Sequence, residues 1–250
     1  MSEQPIVVFC DGAAKGNPGP GGWGVVIATP EGRITELGGA AAHTTNNKME
    51  LTAAIQALTA IADADGPVAI YTDSTYVIKG ISEWIWGWRR RGWKTAEGND
   101  VLNRELWQAL DALASARGTR GKGGGIAWHY VRGHSGIPGN ERVDAIADGL
   151  ARGLPITFYR GPLADYSVPI FDLPDDTSVP KRPASAAGRS SKAAAYSYLS
   201  LVDGAVMRHA TWAECERRVK GRSGARFKKA ASAADESTIL RGWHVNPESL

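Results

Sequence analysis

IVVFCDGAAKGNPGPGGWGVVIAT, residues 6–29, decides the fold. One apolar run ends on Asp11-Gly12, a glycine- and proline-rich turn follows, and a second apolar run starts at Trp23. That pattern reads as strands at 5–11 and 23–29 folded back on each other, and RITELGGAA at 33–41 adds a third strand to an antiparallel meander. Beyond the meander, Met49, Leu51, Ala54, Ile55, Leu58 and Ile61 recur at helical spacing over 47–62. PVAIYT at 67–72 is a short buried strand, helical patterns return at 74–87 and 100–116, IAWHYV at 126–131 is the last strand, and a helix runs from about 140 to 152. Hairpin-linked strands followed by helix-separated strands imply an α/β fold: a mixed five-stranded sheet with helices on its faces, spanning residues 1–154.

After residue 154 the composition changes. Six prolines between 155 and 194 argue against continuous helix or sheet, and the Ser/Ala/Gly/Lys-rich text from Pro183 onward suits a linker, although Phe158, Tyr159, Tyr166, Ile170 and Phe171 leave room for part of it to pack back on a domain. Residues 195–242 read as a small α+β domain, with two strands across a turn at Asp203-Gly204 and a helix after Thr211, capped by Thr211 and Glu214, and 243–250 is a tail. Net charge is −1 over residues 1–154 and +4 over 155–250, so a polyanion would meet the C-terminal half first. Cys10 and Cys215 give no disulfide framework, and no stretch approaches the roughly 18 apolar residues of a membrane span. The expectation is a cytoplasmic, monomeric protein.

Four acids stand at structural junctions: Asp11 and Asp73 end apolar strands, Glu50 opens the first helix, and Asp144 lies in the last one. Taken singly each has an ordinary reading, as turn residue, helix cap, first-turn acid or solvated helix residue. Their placement changes the balance, because neighbouring central strands would bring the Asp11 and Asp73 tips together. An all-carboxylate set without a His or Cys cluster suits a hard divalent cation such as magnesium, which takes oxygen ligands and keeps several waters. His134 sits ten residues before Asp144 in the glycine-rich loop RGHSGIPGN. The segment ISEWIWGWRRRGWKTA sets Trp84, Trp86, Trp88 and Trp93 among Arg89, Arg90, Arg91 and Lys94, and TWAECERRVKGRSGARFKK places Trp212 and Phe227 beside Arg226, Lys228 and Lys229.

DG-x-x-x-GNPGPGG-x-G, TTNN-x-MEL, TDS-x-YV, W-x-x-x-W-x-x-RGWKTA and GH-x-G-x-P-x-NER-x-D stand in order over residues 4–153. This stretch resembles the type 1 ribonucleases H of bacteria. The resemblance implies an endoribonuclease that hydrolyses the RNA strand of RNA–DNA hybrids, leaving 5′-phosphate and 3′-hydroxyl ends. It implies two Mg2+ ions, with Mn2+ as a substitute, held by Asp11, Glu50, Asp73 and Asp144, and His134 moving a proton. Gly12, Asn17, Thr45, Asn46, Asn47 and Asn103 would touch the hybrid, Thr45 and Asn103 at a DNA phosphate, and Trp84 and Trp88 would root a basic handle on the DNA strand. The C-terminal segment resembles the hybrid-binding domain of eukaryotic ribonucleases H1, so Trp212 and Phe227 would stack on sugars while Arg226, Lys228 and Lys229 meet phosphates. A non-catalytic hybrid binder or a DNA-cutting relative on the same fold are the alternatives.

Overall fold

The computed structural model describes residues 4–119, 125–180, 196–220, 222, 224–243 and 245–246. Contacts divide the chain into a first unit, Met1–Pro180, and a second, Lys181–Leu250. In the first unit the quoted stretch forms β1 (Ile6–Ala14) and β2 (Gly19–Ala28), joined to β3 (Arg33–Thr44) as an antiparallel meander. Helix α1 (Asn46–Ala60) follows, capped by the Thr45 hydroxyl, which accepts from the Lys48 N–H. β4 (Val68–Thr72) then pairs parallel with β1, and β5 (Ile126–Tyr130) parallel with β4. Between them lie α2 (Thr75–Lys79), a five-residue π-helical turn at Gly80–Trp84, α3 (Ile85–Arg90) and α4 (Arg104–Thr119). α5 (Pro138–Ala151) completes the series.

The sheet holds six strands rather than five, in the order β5-β4-β1-β2-β3-β6. The added strand, β6 (Arg160–Pro162), pairs antiparallel with the start of β3. It falls within the text assigned to a linker, and the division between units falls at Pro180 rather than at residue 154. The reason is burial: Ile170 is sealed against the sheet, and Ile156, Tyr159, Leu163, Tyr166 and Leu173 pack beside it. The chain then reaches the opposite edge, where the Thr177 carbonyl accepts from the Tyr130 N–H on β5 at 2.9 Å. Residues 155–180 are thus a strap across one face of the sheet. The expected linker residues 181–194 and tail residues 244 and 247–250 lie outside the described residues.

Alternation along β1 explains the two cores. Ile6, Val8 and Cys10 point to the face covered by α1 and α4, where Trp107 is fully buried, while Val7 and Phe9 point to the face covered by α5 and the strap. In the second unit β7 (Ser197–Val202) is central, flanked by β8 (Ala205–His209) and β9 (Arg226–Ala230). Helices α6 (Trp212–Val219) and α7 (Ala233–Gly242) complete it, α6 starting on a full capping box of Thr211 and Glu214. Among the described residues no helix is long and apolar enough to cross a membrane.

Candidate active site

β1 and β4 pair in a register that sets Phe9 beside Tyr71, and the two rings stack with centroids 5.0 Å apart. Two residues further along each chain, on the same face and at the same end of the sheet, stand Asp11 and Asp73. Adjacent strands lie roughly 4.8 Å apart, so the register alone brings these carboxylates together. Glu50 arrives from the other side, on α1. It does so because residue 12 is glycine: a Cβ built there would lie 2.2 Å from the Glu50 nitrogen, so any side chain would push α1 off the strand. Asp144 comes from α5. The loop before α5 passes close to Asp73, and a Cβ at Gly133 would lie 2.5 Å from Asp73 Oδ2.

Asp11, Glu50, Asp73 and Asp144 lie close enough to act on one another through their charges. Burial pushes the Asp11 carboxyl up to about 8, and the charges of Asp73, Asp144 and Glu50 push the same way against a partly offsetting 2.7 Å bond from the Gly12 N–H. Asp11 is only 6% exposed. Glu50 is raised by burial and by Asp73, although the Ser74 hydroxyl and the Asn46 amide donate to its two oxygens. Asp73 is raised by burial and by Asp144, while His134 and a bond from Asn140 pull it down. His134 itself is 81% exposed, sits in the left-handed region at φ 52°, and holds Nδ1 3.9 Å from Asp144 Oδ2.

Among the described residues no group of three or more His, Cys, Asp or Glu side chains is arranged as a ready metal site. Magnesium needs none, since it keeps several waters and takes one or two carboxylates. The fit is in the donors: carboxylate oxygens only, with three of the carboxylates, Asp11, Glu50 and Asp73, held above their ordinary range by burial and neighbouring negative charge. Asp11, Glu50, Asp73 and Asp144 would hold the cation.

The remaining expected residues fall into three groups. Gly12 abuts α1 near Glu50, the Asn17 side chain accepts from the Asn46 N–H at 3.3 Å, and Asn46 donates to Glu50 at 2.8 Å, with Thr45 and Asn47 in the same turn. Trp84, Trp88 and Asn103 meet around Tyr76 and Trp107: the Trp84 ring lies 6.0 Å from Tyr76, Trp88 lies 5.3 Å from Trp107, and the buried Asn103, at φ 59°, donates to the Tyr76 hydroxyl. The cations of this handle are largely tied down, Arg89 to Asp111 and Ser115, Arg91 to the Lys94 carbonyl, and Lys94 to Asp100. The third group belongs to the second unit. Trp212 and Phe227, 40% and 50% exposed, stand 5.3 Å apart with Tyr198 behind Trp212, and Arg226 and Lys228 are exposed on the same strand as Phe227.

Two residues of the site were not singled out from the sequence. Ser74 read as a helix cap, which it is, since its hydroxyl also accepts from the Val77 N–H. Asn140 read as the start of a helix; it is buried and donates to Asp73.

Residues 3–152 match the RNase H family. Ribonuclease H of Cyanothece sp. (strain PCC 7425 / ATCC 29141) is 56% identical over 155 residues, covering 61% of this chain and 93% of that protein. Ribonuclease H of Cupriavidus metallidurans is 54% identical over 145 residues, covering 58% and 94%. Among solved structures, LC9-RNase H1, a type 1 RNase H with the type 2 active-site motif, aligns with a TM-score of 0.53 at 30% identity, over 66% of this chain and 81% of that one. The family match covers the elements that carry all four acids and ends just after α5, and this chain belongs to the RNase H family.

Proposed function

We propose that this chain is an endonuclease that hydrolyses the RNA strand of RNA–DNA hybrids with the help of two divalent ions, leaving 5′-phosphate and 3′-hydroxyl ends. The observation that carries the reading is the cluster itself: four carboxylates from two strand ends and two helices, three of them held above their ordinary range by burial and by one another. Bound Mg2+, or Mn2+ in its place, would supply an activated water and neutralise charge on the phosphate and the leaving oxygen. Asp11, Glu50, Asp73 and Asp144 would hold these ions. Ser74 and Asn46 orient Glu50, and Asn140 orients Asp73.

His134, exposed on its loop with Nδ1 3.9 Å from Asp144 Oδ2, would pass a proton at the departing group. Telling RNA from DNA requires contacts to the 2′-hydroxyl, which donates and accepts. Gly12, Asn17, Asn46, Asn47 and Glu50 offer backbone, amide and carboxylate partners on the acid side, with Thr45 and Asn103 suited to a DNA phosphate. Trp84 and Trp88 build the root of the handle that faces the DNA strand. In the second unit Trp212 and Phe227 offer ring faces beside Arg226, Lys228 and Lys229, a combination that holds nucleic acid backbones. The whole would act as a cytoplasmic monomer.

Incubation with hybrid, double-stranded RNA and double-stranded DNA, in magnesium and in chelator, tests the reading. Cleavage confined to the RNA strand of the hybrid and abolished by chelator is expected. Cleavage of double-stranded DNA, or hybrid binding without cleavage, would favour a DNA nuclease or a pure binding protein instead.

A further inference from the structure

A buried carboxylate outside the acid cluster ties the strap to the helix that carries Asp144. Glu36 stands on β3 opposite Val26, and its side chain has no exposed area. Four donors fill its two oxygens. Arg142 of α5 donates Nε to Oε1 and Nη2 to Oε2, each at 2.7 Å, in a bidentate fork. From the strap, the Tyr159 N–H donates to Oε2 at 2.9 Å and the Tyr166 hydroxyl to Oε1 at 2.6 Å. The strap closes the loop twice more, since Arg142 donates to the Thr157 carbonyl at 3.2 Å and the Glu36 N–H to the Tyr159 carbonyl at 2.8 Å. Strand, helix and strap are therefore fixed to one point by directional, charge-assisted bonds.

That point lies next to the chemistry. Arg142 precedes Asp144 by two residues, and its neighbour Glu141 accepts from the Gly136 N–H at 3.1 Å, which ties the His134 loop to the same turn. Beneath, α5 rides close on β2, where a Cβ at Gly24 would lie 2.6 Å from the Val143 carbonyl oxygen. The helix is held from below by the strand and from the side by the fork. A side-chain tip on a helix lies roughly 5–6 Å from its axis, so a roll of about 10° moves a carboxylate by about 1 Å. A displacement of about 1 Å in a catalytic group costs on the order of a hundredfold in rate.

We propose that Glu36 is a positioning residue, which through Arg142 and the strap sets the rotation of α5 and thereby the placement of Asp144 and the His134 loop. The catalytic unit on this account ends at Pro180, with the strap as a working part of it. The inference rests on the assignment of Asp144 to the catalytic set.

Glu36→Gln keeps the shape and removes the charge; Leu110→Ala, on α4 and buried against the opposite face of the sheet, lies outside the strap, α5 and these bonds and serves as a destabilised control. Both are made in the full chain and assayed well below their unfolding temperatures. Glu36→Gln is expected to lower kcat on a hybrid about tenfold with KM nearly unchanged. It should also weaken Mg2+ binding to the substrate-free protein, read by calorimetry, and speed amide exchange in α5, whereas Leu110→Ala lowers Tm and leaves kcat and Mg2+ affinity alone. A Glu36→Gln variant that loses Tm but keeps wild-type kcat and Mg2+ affinity overturns the proposal. Should it not fold, Tyr166→Phe and Arg142→Lys carry the same two outcomes. Asp144→Asn is run beside them: full activity there defeats the catalytic assignment itself, while an inactive Asp144→Asn with an unaltered Glu36→Gln defeats only the positioning role.

Discussion

Asp11 pays for its place, being desolvated and surrounded by three like charges, with a carboxyl raised to about 8. A folded-state value above the unfolded one means that the neutral acid stabilises the protein below pH 4 and that this contribution is lost as pH climbs through about 8. In chelator, therefore, thermal stability should fall between pH 5 and pH 8.5. Asp11→Asn should remove much of that slope, raise stability at pH 8.5 by about 1–3 kcal/mol, and abolish cleavage; a scanning-calorimetry pH series checks the first two. An unchanged slope would mean that Asp11 is not electrostatically strained. His134 differs in kind, since it is exposed and on the proposed reading passes a proton, so His134→Ala should lower kcat by roughly 10²–10⁴-fold and leave a measurable rate. A loss as complete as that of Asp11→Asn, read in single-turnover assays, would make it a ligand instead. Asp11, Asp73 and Glu50 stand out in the sequence because each closes or opens a periodic segment, whereas Asp144, inside α5, stands out only through the motif around it. Ser74 and Asn140 were hidden because a Ser after Asp and an Asn at a helix start have local capping explanations, and only the fold shows their second partner.

At the scale of elements, the meander and parallel strands followed from alternation and turn chemistry, and β1, β4 and β5 lie where apolar runs predict. The strap did not. Its prolines break regular structure, but a three-residue edge strand ending at Pro162 and a run of spaced apolar side chains need none. Phe158, Tyr159, Tyr166, Ile170 and Phe171 were visible in the text; what they would pack against depended on the open face beside α5. Glu36 gives this element its pH dependence. Burial raises its carboxyl, but the Arg142 fork, the Tyr166 hydroxyl and the Tyr159 N–H outweigh burial and hold it below the ordinary carboxylate range. The sign is the reverse of that for Asp11: its stabilisation is present above about pH 4.5 and is lost as pH falls through the depressed value. Arg142→Met should cost about 2–3 kcal/mol at pH 7, with a smaller penalty below pH 4 where the carboxyl becomes neutral. A penalty independent of pH in denaturant titrations would mean that packing, not the ion pair, holds the strap.

For the whole molecule, the division at Pro180 changes how the two units should be separated. A chain ending at 154 loses the strap and bares the Ile34, Phe9 and Tyr71 face, whereas one ending at 180 keeps it. The shorter form should unfold at markedly lower temperature. The longer one should keep kcat while binding long hybrids more weakly, with a shallower dependence of log affinity on log salt, as expected if Arg226, Lys228 and Lys229 meet phosphates in the full chain. Identical salt slopes for the full chain and the 1–180 form, from binding titrations at several ionic strengths, would remove the second unit from substrate binding. The central claim is that carboxylates gathered at the ends of β1 and β4 cut the RNA strand of a hybrid with divalent metal. It is tested most directly by cleavage of a hybrid labelled in turn on each strand, in Mg2+, by the full chain and by Asp73→Asn. The account predicts fragments of the RNA strand alone from the full chain and none from Asp73→Asn; cut DNA, or undiminished RNA cleavage by Asp73→Asn, would contradict it.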